Sequence, residues 1–522
     1  MIIVEANHIK HYIQDRLLLD IDQLEVHAKD RIGLVGRNGS GKTTLLNILA
    51  KKVVLEGGQV IQRASVELLP QLKRTDTAKS GGEITQEYIQ QALASDAALL
   101  LADEPTTNLD TEHIEWVEKK LNNWPGALIL ISHDRIFLDS LCTTIWEIDE
   151  GRVAEYKGNY TQYSKQKEVE FQQKQQAFEK YQKQKHHLEE AIKQKEEQAQ
   201  RATKKPKNLT GSEARIKGVK PYFANKQKKL RKTVSAFETR LENLETIEKQ
   251  KDLSPIQMNL PNEETFKNQV VLRAEKVHGM VGERVLWNDA SFYIRGGDKV
   301  AVMGSNGTGK TTLIKKIIEK EKNITVSPSV KIGYFTQNLS ILDLDKTILE
   351  NVQSTSTQDE TLIRTVLARM HFFTDDVYKS VNVLSGGERV KVALTKIFLS
   401  DVNMLVLDEP TNYLDLESLE ALESLLKQYK GIIIFVSHDR KFIENVSTRI
   451  IDIQNKELIV FDGRYEQYKS RNPIKEYDLR QNELLLLETK ISEVISRLSV
   501  NPTKELEMEF QRLLGEKREL QG

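Results

Sequence analysis

The chain has 522 residues, 76 basic and 76 acidic side chains, a formal charge of zero and a mean hydropathy of −0.47. That length predicts several domains, and no apolar run approaches the roughly 20 residues needed to cross a bilayer. One cysteine, Cys142, rules out a disulfide framework and reads as a core thiol, and MIIVEANHIKHY shows no signal-peptide pattern, so the expected compartment is the cytoplasm.

The first domain is expected over 1–163. Its strand RIGLVG runs into GRNGSGKT and a helix at TTLLNILA. A Gly-rich turn between a strand and a helix is the context that validates a P-loop. Gly36, Asn38, Gly39, Ser40 and Gly41 let backbone N–H groups close on phosphate oxygens at a helix N-terminus. Lys42 is expected on the β/γ-phosphates, the Thr43 hydroxyl on Mg²⁺, and Thr44 beside it. Gln71 ends a weaker strand pattern and is expected near Mg²⁺ or the attacking water. LLLADEPTTNLD then places Asp103 at the end of an apolar strand, the usual place for a Mg²⁺-holding carboxylate. Glu104 follows it, where a second carboxylate can orient or deprotonate water. ILISHDRIFLDS puts His133 just past the next strand, as a γ-phosphate sensor.

Residues 164–203 are polar and free of Gly and Pro, with Phe171, Phe178, Tyr181, Leu188, Ile192 and Ala199 on one heptad seam. A second seam carries Leu230, Val234, Phe237, Leu241 and Leu244. Between them Pro206, Gly211, Gly218 and Pro221 break helices. The pattern predicts an antiparallel helical hairpin over 164–265 with a basic tip at 204–221. The window 201–232 holds twelve Lys or Arg and one acid, Glu213, with Tyr222 and Phe223 among them. One-signed charge with interleaved aromatics suits a nucleic-acid partner, RNA or DNA.

The same motifs then return in the same order over 266–472. VMGSNGTGKTTL repeats the P-loop with Gly304, Asn306, Gly307, Thr308, Gly309, Lys310, Thr311 and Thr312. Gln337 follows a strand, SGGE recurs at 385–388, MLVLDEPTNYLD supplies Asp408 and Glu409, and IFVSHDRKFIEN supplies His438. Ordered recurrence means two homologous cassettes. They differ between glutamine and SGGE: nine residues separate Gln71 from Ser80 and 48 separate Gln337 from Ser385. The first cassette is therefore expected to lack most of a helical subdomain that the second keeps. The tail, 473–522, carries one stripe of Leu484, Leu487, Ile491, Val494 and Leu498, a turn at Asn501-Pro502, and another stripe of Leu506, Phe510 and Leu513, which predicts a short helical hairpin.

P-loop, glutamine loop, SGGE, DEPT and SHD together resemble the ATP-binding cassette (ABC) superfamily. The resemblance implies head-to-tail cassettes, each ATP lying between one P-loop and the other cassette's signature. One site would join Lys42, Thr43, Asp103, Glu104 and His133 to Ser385, Gly386 and Gly387. The other would join Lys310, Thr311, Asp408, Glu409 and His438 to Ser80, Gly81 and Gly82. It also implies an aromatic under the adenine, for which Tyr12 fits; the second cassette offers His278 or Met280 there. The first signature departs from the usual pattern at Lys79 and Ile84, which predicts slower hydrolysis at the site it completes.

Two cassettes on one chain with a linker of about 100 residues resemble the ABC-F proteins, and within them the Vga-type antibiotic-resistance factors. The implied fold is α/β: two ABC-type P-loop ATPase domains, a long antiparallel α-helical hairpin linker and a short C-terminal helical extension. The implied activity is ATP hydrolysis with ATP and Mg²⁺. The implied partner is the ribosome, with rRNA of the large-subunit exit site and peptidyl-transferase region, where streptogramin A, lincosamide and pleuromutilin drugs are displaced. The chain is expected to act as a monomer with paired cassettes. Rival readings are a housekeeping ABC-F translation factor, the ATPase subunit of an exporter, and a DNA-handling repair ATPase.

Overall fold

A computed structural model describes residues 1–13, 15–69, 88–89, 92, 97–107, 109–201, 219–244, 269–336, 339–470, 491, 494 and 504–521. One compact unit comprises 1–156 and 255–522; a second comprises 157–254.

In the first unit each cassette is built on a six-stranded sheet. Its order in the first cassette is Val66–Leu69, Leu99–Asp103, Ala127–Ile131, Arg31–Gly36, Thr144–Asp149 and Arg152–Lys157. In the second it is Ile332–Phe335, Met404–Asp408, Ile432–Val436, Lys299–Gly304, Arg449–Gln454 and Glu457–Asp462. The central pairings are parallel, which explains the unbroken apolar runs: LLLAD, ALILI and IIIFV are buried along their whole length because both faces of such a sheet are covered. A three-stranded antiparallel sheet accompanies each: Arg16–His27, Ile2–Ile13 and Gly57–Gln62 in one, Arg284–Arg295, Val270–Val281 and Ile324–Val326 in the other. The helices Lys42–Leu49 and Lys310–Ile318 bury Leu45, Leu46, Ile48 and Leu49, and Leu313, Ile314 and Ile317, in the core shared by these sheets. That packing anchors each P-loop.

The 48-residue interval of the second cassette holds the helices Ile348–Gln353 and Glu360–Arg369 and two 3₁₀ turns, and leads into the helix Gly386–Phe398. A core from Leu342 through Ile363, Val366 and Leu384 joins this helical subdomain to the sheet. The corresponding stretch of the first cassette falls at 70–87, outside the described residues. At the C-terminal end, Ile491, Val494 and Leu513 bury one another, with Phe510 and Leu514 packed against them. Positions from both predicted stripes therefore meet; the helix Lys504–Gln521 carries the second. Leu484, Leu487 and Leu498 lie outside the described residues.

In the second unit the helix Tyr160–Arg201 packs against Val219–Glu242. It starts earlier than the 164 expected, because the Asn159 and Gln162 side chains cap each other's backbone N–H groups at 3.2 and 3.1 Å. Burial follows the heptad seams: Phe171, Phe178, Tyr181, Leu188, Ile192 and Ala199 on one helix, Leu230, Val234, Phe237 and Leu241 on the other, while their neighbours are largely exposed. Lys228, Lys229, Arg231 and Lys232 point to solvent. Most of the basic tip, 204–218 of 204–221, falls outside the described residues. Among the described residues no helix is long and apolar enough to cross a membrane.

Candidate active site

Each P-loop is shaped by its glycines. Gly41 and Gly309 begin their helices at φ 101° and 103°, a left-handed backbone that disfavours any side chain. A Cβ on Gly309 would also lie 2.5 Å from the Trp287 ring. The Lys42 ammonium donates to the Gly36 and Arg37 carbonyls at 2.6 and 2.9 Å, and Lys310 donates to Gly304 and Ser305 at 2.8 and 3.1 Å. Burial lowers both lysine pKa values, against the pull of nearby carboxylates. Loop amides, a helix N-terminus and a lysine together make an anion cradle. Gly39 and Gly307 are exposed at φ 78° and 77°. The Thr308 hydroxyl donates to the Ser305 carbonyl at 2.9 Å, while the Ser40 hydroxyl oxygen is buried without a partner. Thr44 lines the cavity described below, and Thr312 is half-buried on the second P-loop helix.

Beside each cradle a hydroxyl meets a carboxylate. Thr43 hydrogen-bonds Asp103, and Thr311 donates to Asp408 at 3.4 Å; burial raises both carboxyl pKa values. The next residues, Glu104 and Glu409, have φ 49° and 51°, a strained conformation for a glutamate. His133 Nε2 lies 3.0 Å from Glu104 and His438 Nε2 3.3 Å from Glu409. The two glutamates nevertheless differ. Burial pushes Glu104 up, but His133, the Thr107 hydroxyl and Lys42 outweigh it and pull the carboxyl down to about 2. At Glu409 burial wins over Lys310, and the carboxyl rises to about 7. His438 is pushed down to about 3 by burial and Lys310.

The cassettes meet head to tail. The Asn38 backbone N–H donates to Asp415 at 3.0 Å, and the Asn306 N–H donates to Asp110 at the same distance. Each P-loop thus rests on the aspartate that caps a helix of the other cassette. The Asn38 side chain adds a bond to the Tyr413 carbonyl at 2.9 Å. Burial raises the Asp415 pKa, but Lys391, the Asn38 amide and Ser418 outweigh it and hold the carboxyl well below its ordinary value. Ser385 caps Gly386–Phe398 in a reciprocal pair with Glu388. A Cβ on Gly387 would stand 2.8 Å from the Tyr413 carbonyl and 3.2 Å from the Asn38 amide. A cavity of about 880 Å³ is lined by residues from both cassettes, among them Lys42, Glu104, His133, Ser385, Gly387 and His438.

The structure therefore brings the first P-loop, Glu104 and His133 to Ser385 and Gly387. Gln71, Gln337, Ser80, Gly81 and Gly82 lie outside the described residues. Tyr12 does not line the cavity, whereas Ile13, Arg16 and Leu18 do. His278 pairs with Asp289 at 2.8 Å, and Met280 is exposed. Asp110 and Asp415 end the repeated DEPT segment, yet nothing local to that segment marks them as partners of the opposite P-loop.

The paired cradles, aligned carboxylates and crossed contacts define a tandem-cassette nucleotide hydrolase. An ABC transporter family model matches residues 19–77 and 287–412, and a second model of the same description matches 146–217. Ribosome protection protein VmlR of Bacillus subtilis is 31% identical over 99% of this chain and 98% of its own. Erythromycin resistance ATP-binding protein MsrA of Staphylococcus epidermidis is 34% identical over 85% of this chain and 96% of its own. The fold is shared with the archaeal ribosome recycling factor aABCE1, solved with stalk protein aP1, at a TM-score of 0.58, 17% identity and coverage of 91% and 97% of the two chains. The chain belongs to the ABC-F family, and it is an ATP-binding ATPase.

Proposed function

We propose that this ATPase is a ribosome-protection factor, in which ATP binding closes the cassettes into a ribosome-bound form and hydrolysis releases it. The observation that carries the proposal is full-length similarity to a ribosome protection protein, joined to a linker hairpin whose second helix exposes Lys228, Lys229, Arg231 and Lys232. Such a one-signed surface neutralises phosphates and seeks a polyanion; the partner is large-subunit rRNA near the exit site and the peptidyl-transferase region. Protection extends to streptogramin A, lincosamide and pleuromutilin drugs.

In each site the loop amides and Lys42 or Lys310 hold the phosphates. Ser385, Gly386 and Gly387 close over the first, as Ser80, Gly81 and Gly82 do over the second. Thr43 with Asp103, and Thr311 with Asp408, present a hydroxyl and a carboxylate side by side, a hard-oxygen pair that fits Mg²⁺. Mg²⁺ there supplies charge neutralisation to the phosphates when bound. Glu104 and Glu409 orient the attacking water and accept its proton, and His133 and His438 fix those carboxylates and contact the γ-phosphate. Gln71 and Gln337 complete the two shells. Asp110 and Asp415 hold the opposite P-loop, so a formed site requires a closed pair.

The Glu104→Gln, Glu409→Gln double variant removes the proton acceptors but keeps the cradles. It should lose more than about 100-fold in turnover and co-sediment with ribosomes in ATP more than the parent chain does. Sedimentation no better than the parent's overturns the cycle. A translation factor without a drug role is the rival: in vitro translation poisoned by a peptidyl-transferase inhibitor recovers on adding the protein only under the protection reading.

A further inference from the structure

The repeated SHDR segments end in arginines that neither nucleotide site uses. Arg135 and Arg440 are buried, at 8% and 5% side-chain exposure. Both reach across the cassette interface. Arg135 pairs with Glu423 of the second cassette and lies 3.9 Å from Asp439. Arg440 lies 3.1 Å from Glu118 of the first cassette and 3.7 Å from Asp134. Glu118 corresponds to Glu423, Asp134 to Asp439 and Arg135 to Arg440 by the offset that relates Asp103 to Asp408. The contacts therefore form one pseudo-twofold ring, and the helices that begin at the two arginines pack on each other at its centre.

The aspartates in this ring belong to the SHDR loops. Asp134 follows His133, and its other carboxylate oxygen accepts from the Ile136 and Phe137 amides at 2.9 and 3.1 Å. Asp439 follows His438 and accepts from the Phe442 amide at 2.9 Å. The Ser132 and Ser437 hydroxyls tie the Asp134 and Asp439 amides at 3.0 and 3.1 Å and meet Thr106 and Thr411 in the DEPT loops. A displacement of either aspartate moves the adjacent histidine against its glutamate. Buried charges tolerate such a displacement poorly, because a separated partner is left unpaired in low dielectric.

We infer that Arg135 and Arg440 are trans-acting positioning residues: each holds the histidine loop of the opposite cassette in register, so that turnover at one site depends on an arginine encoded with the other. Arg440 serves the site of Glu104 and His133, and Arg135 serves the site of Glu409 and His438. The inference rests on the assignment of those glutamates as the proton acceptors.

The test uses the full chain with one site silenced at a time. Glu409→Gln leaves the Glu104 site turning over, and Glu104→Gln leaves the other; each change must lower ATPase activity. In Glu409→Gln, Arg440→Gln should lower kcat about tenfold with KM for ATP within about twofold, and Arg135→Gln should do less. In Glu104→Gln the order should reverse, and Arg→Lys should recover most of the loss in either case. A loss confined to the arginine's own site, or equal at both sites, overturns the inference. So does a loss carried by a rise in KM. If neither glutamine change lowers turnover, it is the glutamate assignment that has failed. An Arg440→Gln, Asp134→Asn double-mutant cycle on kcat in the wild-type background then still decides the clamp: coupling supports it and additivity overturns it. Soluble variants with wild-type circular dichroism and a cooperative thermal transition qualify for these comparisons. If Arg→Gln fails that standard, the charge exchange Arg135→Glu with Glu423→Arg replaces it, and failure of the exchange to recover turnover lost in Arg135→Glu overturns the inference.

Discussion

The two nucleotide sites share the same ordered motifs, yet their glutamates sit in opposite electrostatic states. Glu104 is held down to about 2 and Glu409 raised to about 7. A neighbouring position accounts for part of the difference. The Thr107 hydroxyl donates to the Glu104 carboxylate at 2.9 Å. Asn412 occupies the matching position in the second cassette; its backbone N–H donates to the Glu409 carbonyl just as that of Thr107 donates to the Glu104 carbonyl, so the Thr107 hydroxyl bond is what differs. A hydrogen bond to a charged group stabilises that charge far more than one to a neutral carbonyl. Repeated motifs thus do not guarantee identical chemistry, because one differing side chain within the motif changes the charge state of its neighbour.

The largest expected effect follows from the sign of these shifts. A carboxyl raised in the folded state contributes stability below its unfolded value of about 4.5 and loses it as pH climbs through about 7. A depressed one contributes above about 4.5 and loses it as pH falls toward 2. In nucleotide-free protein at pH 8, Glu409→Gln should therefore stabilise and Glu104→Gln destabilise, each by on the order of 3 kcal/mol. Denaturant unfolding of the two variants measures this, and changes of the same sign would erase the contrast. Exchange of the neighbouring residues sharpens it. Thr107→Asn should raise the Glu104 titration by about one unit, roughly 1.4 kcal/mol, and Asn412→Thr should lower that of Glu409 by a similar amount; infrared titration of the carboxyl bands reads both. The smallest effect concerns Arg37, which pairs with Glu417 at 2.9 Å across the first site only, since Ser305 fills the matching place. Both partners are about half exposed, so Arg37→Ala should change the thermal midpoint by no more than roughly 0.5 kcal/mol equivalent.

Much of the molecule could be read in advance. The two P-loops, the DEPT carboxylates and the SHDR histidines are local patterns whose chemistry depends on short spacing, and the structure gathers the described members of each set within its cassette. The heptad seams named the less exposed positions of the linker helices, because burial on a helix follows periodicity. Other features had no local signal. Asp415 and Asp110 look like ordinary helix caps until the opposite P-loop amide is placed on them. Tyr12 suited an aromatic spacing, but it is Ile13 that lines the cavity, next to a register shift between His11 and Tyr12. The arginines of SHDR repeat visibly, yet their partners lie 288 and 322 residues away in sequence.

By itself the sequence determined a doubled ATPase cassette and a helical linker, and it pointed to the local motifs of each nucleotide site, since these follow from short-range spacing and hydrophobic period. Only the tertiary structure decided which aspartate meets which P-loop, which arginine crosses to which SHDR loop, and why twin glutamates titrate apart. Those properties arise from burial and from contacts between distant segments, and electrostatic energy in a low-dielectric interface depends on separations in space that no local pattern encodes.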